Sequence, residues 1–233
     1  MSSLVSANNV DFLIRQIDNH RVCIVDVVND SIKHLQIPKN IKGKIVTEIG
    51  DGAFAGKGIE SLVLPGTLET IGKNAFSGNK IEALTLPESV SFLKDEAFSN
   101  NNIKTLHLSK KIAYIGDRSF DGNPIKMNTL VISQKINYIG KLAFVPEKIQ
   151  TVLMEGSPEA IDDFAFQDID RFFFSKPIKK LGYNSLGRPK QIYISEEKNK
   201  DHFSYYSKFF DVPLNTLTND EMNNFFSVLR VLT

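Results

Sequence analysis

The chain has 233 residues, one cysteine and a formal net charge of +1. This charge gives no overall attraction to nucleic acid or to an anionic membrane, and a single cysteine excludes an intramolecular disulfide. The sequence contains no apolar run of about 18 residues, so we expect no membrane-spanning helix and no membrane insertion.

Residues 1–31 predict an N-terminal cap. Two apolar runs, Phe12–Ile17 and Val22–Val28, flank the turn residues Asp18–Arg21, which favours a β-hairpin. Cys23 lies in the second run and is interpreted as a small buried hydrophobe rather than a reactive thiol. The first residues lack the basic and apolar regions of a secretory signal. We therefore expect a cytoplasmic protein, export by another route, or a surface or secreted protein trimmed of its signal.

Residues 32–194 contain a repeat with a period of about 22 residues. Three regular units follow one another, Ile59–Lys80, Ile81–Asn102 and Ile103–Pro124. Each resembles the pattern I-x-x-L-x-L-P-x-x-L-x-x-I-G-x-x-A-F-x-G-N-x. A unit of this length cannot bury its apolar face alone, so the period predicts a solenoid in which stacked units share one core.

Two apolar columns in the repeat predict strands, because residues two apart point to the same side of a strand. The first column comprises Leu62, Leu84, Leu106, Leu130, Val152, Phe172 and Ile192. The second comprises Leu64, Leu86, Leu108, Ile132, Met154, Phe174 and Ile194. Eight strand registers, from Leu35 to Ile192, predict one parallel sheet of about eight short strands.

The second part of each unit predicts a buried column and a turn. The column comprises Ile49, Ile71, Leu93, Ile115, Ile139, Ile161 and Leu181. Five glycines follow these residues and are expected to have φ > 0: Gly50, Gly72, Gly116, Gly140 and Gly182. Further on, a small residue precedes a phenylalanine, which predicts close coil packing and a stack of buried rings: Phe54, Phe76, Phe98, Phe120, Phe144 and Phe166. The longer spacing from Phe120 to Phe144 predicts a bulge or wider turn around Ile125–Thr129.

These motifs resemble the BspA-type leucine-rich repeats, a family found largely on bacterial surface antigens. The resemblance covers about residues 32–194. The segment Gly43–Phe54 is similar to the usual first repeat, and Ile192–Leu214 is similar to the usual last strand and helix. One departure is that the family's turn cysteine is replaced by asparagine at Asn79, Asn101 and Asn123. The resemblance implies a right-handed, mainly β solenoid of the α/β class that acts as a binding module, and it does not imply a particular ligand.

Residues 195–233 leave the repeat pattern and predict a helical C-terminal cap. Apolar spacing favours a helix over Lys198–Phe210, which Pro213 should end. Thr218 and Glu221 have the spacing of a capping box, which would start a second helix carrying Met222 and further apolar residues. The alternative is a helix that docks on a partner or dimerises.

No metal, cofactor or catalytic site is expected from the sequence. None of the four histidines has metal-ligand spacing to another histidine or to the cysteine. An acidic unit (Glu155, Glu159, Asp162, Asp163, Asp168 and Asp170) precedes a basic one (Lys176, Lys179, Lys180, Arg188 and Lys190). We interpret them as adjacent coils that compensate each other, with a calcium site or an anion site as alternatives.

The outward strand positions are the candidate binding residues. They are small and polar at first, and then Val131, Leu153, Phe173 and Tyr193 form an apolar stripe on successive strands. Such a stripe, with Arg171 and His107 nearby, suits a protein-binding hot spot. Two alternatives stay open: the C-terminal helices cover the stripe, or the short last coil shifts register and buries it.

The sequence therefore predicts a single domain that acts as a non-catalytic protein–protein recognition module, with adhesion or host contact at a cell surface as candidate roles. The array would bind as a rigid, preorganised surface. The alternative is a structural or self-assembling scaffold that uses its C-terminal helix. A carbohydrate ligand is also compatible with the aromatic residues. A monomer or weak homo-oligomer is expected, without a nucleic-acid partner.

Overall fold

A computed structural model describes residues 2–7, 10–29, 31–195, 214–218, 220–222 and 224. They form a β-solenoid of about eight turns with mostly parallel strands and little helix. The leucine-rich repeat solenoid expected from the sequence is thereby confirmed. The roles of residues 1–31 and 195–233 as caps, and the domain bounds, stay predictions. The helix expected over Lys198–Phe210 lies outside the described residues.

The strands are short and follow one another through the chain. In order they are β1 (Ser2–Ala7), β2 (Val10–Gln16), β3 (Arg21–Val27), β4 (His34–Gln36), β5 (Asn40–Ile41), β6 (Lys44–Ile49), β7 (Ser61–Val63), β8 (Thr70–Ile71), β9 (Ala83–Thr85), β10 (Phe92–Leu93), β11 (Thr105–His107), β12 (Tyr114–Ile115), β13 (Lys126–Ile132), β14 (Tyr138–Ile139), β15 (Lys148–Met154), β16 (Ala160–Ile161), β17 (Ile169–Phe174), β18 (Gln191–Ser195) and β19 (Leu214–Leu217). Residues 220–222 and 224 are helical.

Each coil contributes strands to two different rows, so the expectation of one parallel sheet was wrong. The strands that contain the leucine positions form one row, the leucine row. Hydrogen bonding divides this row into three sheets, β4–β7, β9–β11 and β13–β15–β17–β18–β19. The two-residue strands β8, β10, β12, β14 and β16 stack in parallel behind β6 and form a second sheet. The reason is that the segment ending in the buried Ile or Leu is also extended and meets its counterpart in the next coil.

Both inward columns and the phenylalanine stack are confirmed. The six rings from Phe54 to Phe166 are fully buried, and neighbouring ring centroids are 5.2, 5.1, 6.2, 5.2 and 5.0 Å apart. Nearly parallel rings at these distances are offset, and each pair contributes about 1 kcal/mol beyond the burial of apolar surface. The stack therefore ties every coil to the next along the axis of the solenoid.

Buried asparagines form a second ladder through the first regular coils. Asn101 is 8 % exposed, and its Oδ1 accepts a hydrogen bond from the Ile81 N–H at 3.2 Å. Its Nδ2 donates to the carbonyls of Phe76 and Phe98, at 2.8 and 3.2 Å. Asn79 and Asn123 repeat this arrangement in their own coils. The side chain thus satisfies buried backbone groups that no strand ladder reaches.

The glycines after the buried column do not have φ > 0, contrary to the expectation. They are required by close contact between coils. A Cβ on Gly116 would lie 2.5 Å from the backbone nitrogen of Asp95, one coil earlier, and Gly72 and Gly140 are similarly confined. The left-handed conformation occurs two residues later, where φ is between 48° and 56° at Asn74, Glu96, Arg118, Leu142, Phe164 and Asn184.

The N-terminal strands extend the second sheet. β2 and β3 pair antiparallel, as expected for a hairpin, and β3 pairs in parallel with β6. Phe12 is fully buried and meets Phe54 edge-on at 6.3 Å, so it continues the ring stack. Cys23 is 1 % exposed, and burial raises the pKa of its thiol. Its interpretation as a small buried hydrophobe is confirmed.

Candidate functional site

The outward side of the leucine row, which we name the leucine-strand face, has two halves. Its first half comprises β4, β7, β9 and β11, which have three residues each, and its second half comprises β13, β15, β17, β18 and β19. The residue directly after the first inward leucine of each coil points outward. In the first half these residues are exposed, and they are Gln36, Val63, Thr85 and His107. In the second half the equivalent residues are the apolar stripe.

The apolar stripe is mostly covered. Leu153 and Phe173 are 0 % and 1 % exposed, while Val131 and Tyr193 are half-buried. The Phe173 and Tyr193 rings stack at 4.4 Å between centroids. Met222, 3 % exposed, completes this second small core, and Leu217 packs against it.

The cover comes from the end of the described chain. β19 pairs in parallel with β18, with Leu214 opposite Ile192. Thr218 and Glu221 then form the expected capping box: the Thr218 N–H donates to the Glu221 carboxylate at 2.8 Å, and the Glu221 N–H donates to Thr218 Oγ1 at 3.2 Å. The Thr218 N–H and the Thr218 hydroxyl, which also donates to the carboxylate at 3.0 Å, lower the pKa of Glu221. The box turns the chain so that Met222 reaches the stripe.

The structure separates the six predicted binding residues into three groups. Leu153 and Phe173 are buried under C-terminal residues, as the first of the two alternatives to partner binding predicted. They cannot contact a partner while this segment covers them. Val131, Tyr193 and Arg171 are half-buried at the borders of the stripe. His107 is exposed and belongs to the first half. The partner-binding role of the six residues stays a prediction.

Sequence reasoning missed a depression in the first half. It lies where β7 and β9 are not paired, has a volume of about 680 Å³, and is lined by His34, Glu60, Ser61, Leu62, Lys80, Glu82, Ala83 and Asn102. His34 Nδ1 is 2.8 Å from Ser61 Oγ. No carboxylate of the described residues hydrogen-bonds to the His34 ring, so the pair lacks the third member of a hydrolase triad.

Opposite charges on adjacent coils partly compensate each other, as expected. The Asp170 carboxylate lies 2.7 Å from Lys148 Nζ and 3.0 Å from Lys190 Nζ, and these ammonium groups lower its pKa. Lys179 pairs with Glu159. Within the described ranges, no group of three or more His, Cys, Asp or Glu side chains could hold a metal ion. No helix in the described part of the chain is long and apolar enough to cross a membrane.

A family model of BspA-type leucine-rich repeat regions matches six copies of the repeat over residues 47–185, more than half of the chain. The chain belongs to the BspA-type leucine-rich repeat family. A sequence search of curated proteins found no significant match.

Among solved structures, this BspA-type chain is similar to a leucine-rich repeat protein from T. pallidum, with 15 % identity, 88 % of this chain and 97 % of that chain covered, and a TM-score of 0.60. A leucine-rich repeat protein from Bacteroides ovatus ATCC 8483 has 16 % identity, coverages of 80 % and 66 %, and a TM-score of 0.45. A leucine rich cell surface protein from Faecalibacterium prausnitzii A2-165 has 13 % identity, coverages of 95 % and 97 %, and a TM-score of 0.32. At its low identity, the T. pallidum match supports the fold alone.

Proposed function

We propose that the protein is a non-catalytic recognition module that binds a partner protein with the first half of the leucine-strand face. The observation that carries this proposal is the contrast in exposure along one row of strands. The central outward residues of β7, β9 and β11 are exposed, whereas Leu153 and Phe173 further along are buried. The surface left for a partner is therefore the first half, at a cell surface in the setting typical of the family.

The first half is preorganised for binding. Its strands stand on the stacked phenylalanines and the asparagine ladder, so little conformational entropy is lost when a partner docks. Its outward residues are small or polar: Ser61, Ala83 and Thr105 in one column, and Val63, Thr85 and His107 in the other. No Phe or Tyr ring faces outward from these columns, and so the first half suits a protein better than a sugar, which stacks on aromatic faces.

Two arginine substitutions test this proposal. Val63→Arg and Thr85→Arg add bulk and charge to exposed positions of the first half, whereas Gln134→Arg makes the same change at an exposed turn after β13. Each variant is immobilised and compared with the wild type for the proteins that it retains from cell-surface and own-cell extracts. We expect a protein retained by the wild type and Gln134→Arg and lost by the other two. Retention of the same proteins by all four chains would contradict the proposal.

The self-assembling scaffold is the second candidate. It needs the C-terminal segment to be available for association, but Met222 is 3 % exposed and both Met222 and Leu217 pack on the apolar stripe of the same molecule. The described part of the segment is thus already engaged. Light scattering after size exclusion separates the two candidates: a molecular mass that rises with concentration would favour the scaffold.

A further inference from the structure

A row of aromatic side chains lies on the second sheet, apart from the leucine-strand face. Phe92, Tyr114 and Tyr138 occupy the same register on the neighbouring strands β10, β12 and β14. Phe92 is 50 % exposed, and the two tyrosines are half-buried. The Tyr114 and Tyr138 rings stack, with centroids 4.9 Å apart and an interplanar angle of 16°. On its other side, the Tyr114 ring makes no ring contact with Phe92 or with any other described residue.

Carboxylates surround this row and are held in place by the coils. Asp95 Oδ1 accepts from the Asp117 N–H at 3.1 Å, and Asp117 Oδ1 accepts from the Lys141 N–H at 2.9 Å. Asp162 Oδ2 accepts from the Tyr138 hydroxyl at 2.6 Å. The first two contacts are equivalent, because Asp95 and Asp117 each follow the buried column by two residues, whereas Asp162 follows it by one residue and binds a side chain. The acidic groups are therefore ordered before any ligand arrives.

The charge around the two phenols is negative. Burial raises the pKa of the Tyr114 hydroxyl, and the charges of Asp95, Asp117 and Asp162 raise it further. The nearby Lys94 ammonium lies 3.7 Å from the Asp51 carboxylate. Towards the start of the sheet, Arg15 and Arg21 lie 4.0 Å from Glu48 and 3.8 Å from Glu69, so the acidic groups there have basic partners. Among the described residues, no lysine or arginine forms a salt bridge with Asp95, Asp117 or Asp162 in the aromatic part of the sheet.

We propose that this aromatic–acidic row, comprising Phe92, Tyr114, Tyr138, Asp95, Asp117 and Asp162, is a second docking surface that binds arginine side chains of a basic segment in a partner protein. A guanidinium group is planar, weakly hydrated and rich in donors. It can stack on the Tyr114 face opposite Tyr138 while its N–H groups bind the neighbouring carboxylates. The Tyr114 hydroxyl has no hydrogen-bond partner among the described residues and is available as an acceptor.

Arginine fits this surface better than lysine or a sugar. A lysine ammonium is a strongly hydrated point charge that would use the carboxylates but not the ring face. A polysaccharide needs a series of open ring faces, whereas Tyr114 and Tyr138 cover each other's inner faces. The surface thus combines a flat apolar side and fixed acceptors, the two features that a guanidinium group uses together.

The experiment measures the binding of a fluorescently labelled peptide of alternating arginine and glycine to the full chain by anisotropy. A second peptide has lysine in place of each arginine. In the test variant Asp95→Asn/Asp117→Asn, both asparagines keep the Oδ1 acceptors that hold the backbone. The control variant Glu60→Gln/Glu82→Gln removes the same charge from the depression on the leucine-strand face. Thermal unfolding checks that both variants are folded.

We expect the arginine peptide to bind the test variant at least about tenfold more weakly than the wild type, and to bind the control variant like the wild type. Phe92→Ser, which leaves every carboxylate in place, should weaken binding about threefold through the lost apolar contact. Equal losses in the test and control variants, or equal binding of the lysine peptide, would overturn the proposal. The test variant changes no residue of the leucine-strand face, so its result leaves the proposed function unaffected.

Discussion

The two halves of the leucine row satisfy the same buried backbone N–H groups in different ways. In the first half the strands have three residues, and the buried N–H groups of Ile59, Ile81 and Ile103 lie before the strands begin. They donate to the asparagine side chains at 3.0–3.2 Å. In the second half the strands have five to seven residues until β19, and Ile149 lies within β15, in register with Met127 and Ile169. A longer strand thus takes over the role of a buried asparagine.

The halves also differ in what covers them. The outward residues of the first half are small or polar and exposed, whereas the apolar stripe of the second half is mostly covered, with Met222 and Leu217 packed against it. The change begins at β13, which has seven residues and pairs with β15 from Lys126 to Ile132. The bulge or wider turn expected around Ile125–Thr129 stays a prediction. The same repeat thus presents an exposed face in one half and, in the other half, a face on which Met222 and Leu217 of the same chain pack.

The largest expected effect contrasts the same column in the two halves. Phe173→Ser removes a buried ring from the second core and should lower the free energy of unfolding by about 3–5 kcal/mol. His107→Ser is the matched control, because His107 is exposed in the equivalent column, and it should change stability by less than about 0.5 kcal/mol. Urea denaturation measures both values. If the two variants are equally stable, the stripe is not covered in solution.

The next effect tests the asparagine ladder. Asn101→Ala leaves the Ile81 N–H and the carbonyl groups of Phe76 and Phe98 without their buried partner, so we expect a loss of about 3 kcal/mol. The neighbouring Asn102→Ala removes only one exposed hydrogen bond, to Glu82, and should have little effect. The comparison uses thermal and urea unfolding. Similar midpoints for both variants would show that the ladder does not stabilise the first half.

The smallest effect concerns the covering segment. Thr218→Ala removes the side-chain acceptor of the capping box and should weaken the cover of the apolar stripe by about 1 kcal/mol. A dye that becomes fluorescent on exposed apolar surface should bind this variant more than the wild type, at a temperature where both chains remain folded. Thr85→Ala, in the exposed first half, serves as the control. Equal dye binding by all three chains would indicate that the capping box does not hold the segment in place.

Periodicity allowed the sequence to predict the elements that recur in every coil. The inward columns, the phenylalanine stack and the pairing of opposite charges all follow from residues at fixed spacing. The capping box was also predictable, because Thr218 and Glu221 are local neighbours. The second sheet was missed because a two-residue strand is too short to show alternation.

The remaining differences depend on contacts between distant residues. The expected positive φ was the wrong explanation for the glycines after the buried column. A sequence shows where a glycine occurs, and not which neighbouring backbone atoms leave no room for a Cβ. Asn101 was noticed only as a departure from the family's cysteine, although its position after a buried phenylalanine was informative. The cover over Leu153 and Phe173 depends on where the C-terminal residues pack, which the repeat pattern does not encode.

The asparagine ladder has a consequence for how such arrays change in length. Asn123 binds the Phe98 carbonyl of the coil before it, as Asn101 binds that of Phe76, so each step presents identical groups to the next. Loss of the whole unit Ile81–Asn102 would bring Asn123 opposite Phe76 with the same acceptor in place. Duplication would work equally well. Whole units can therefore be gained or lost in evolution without a new kind of contact between coils. Each unit changes the length of this surface by about 4.8 Å.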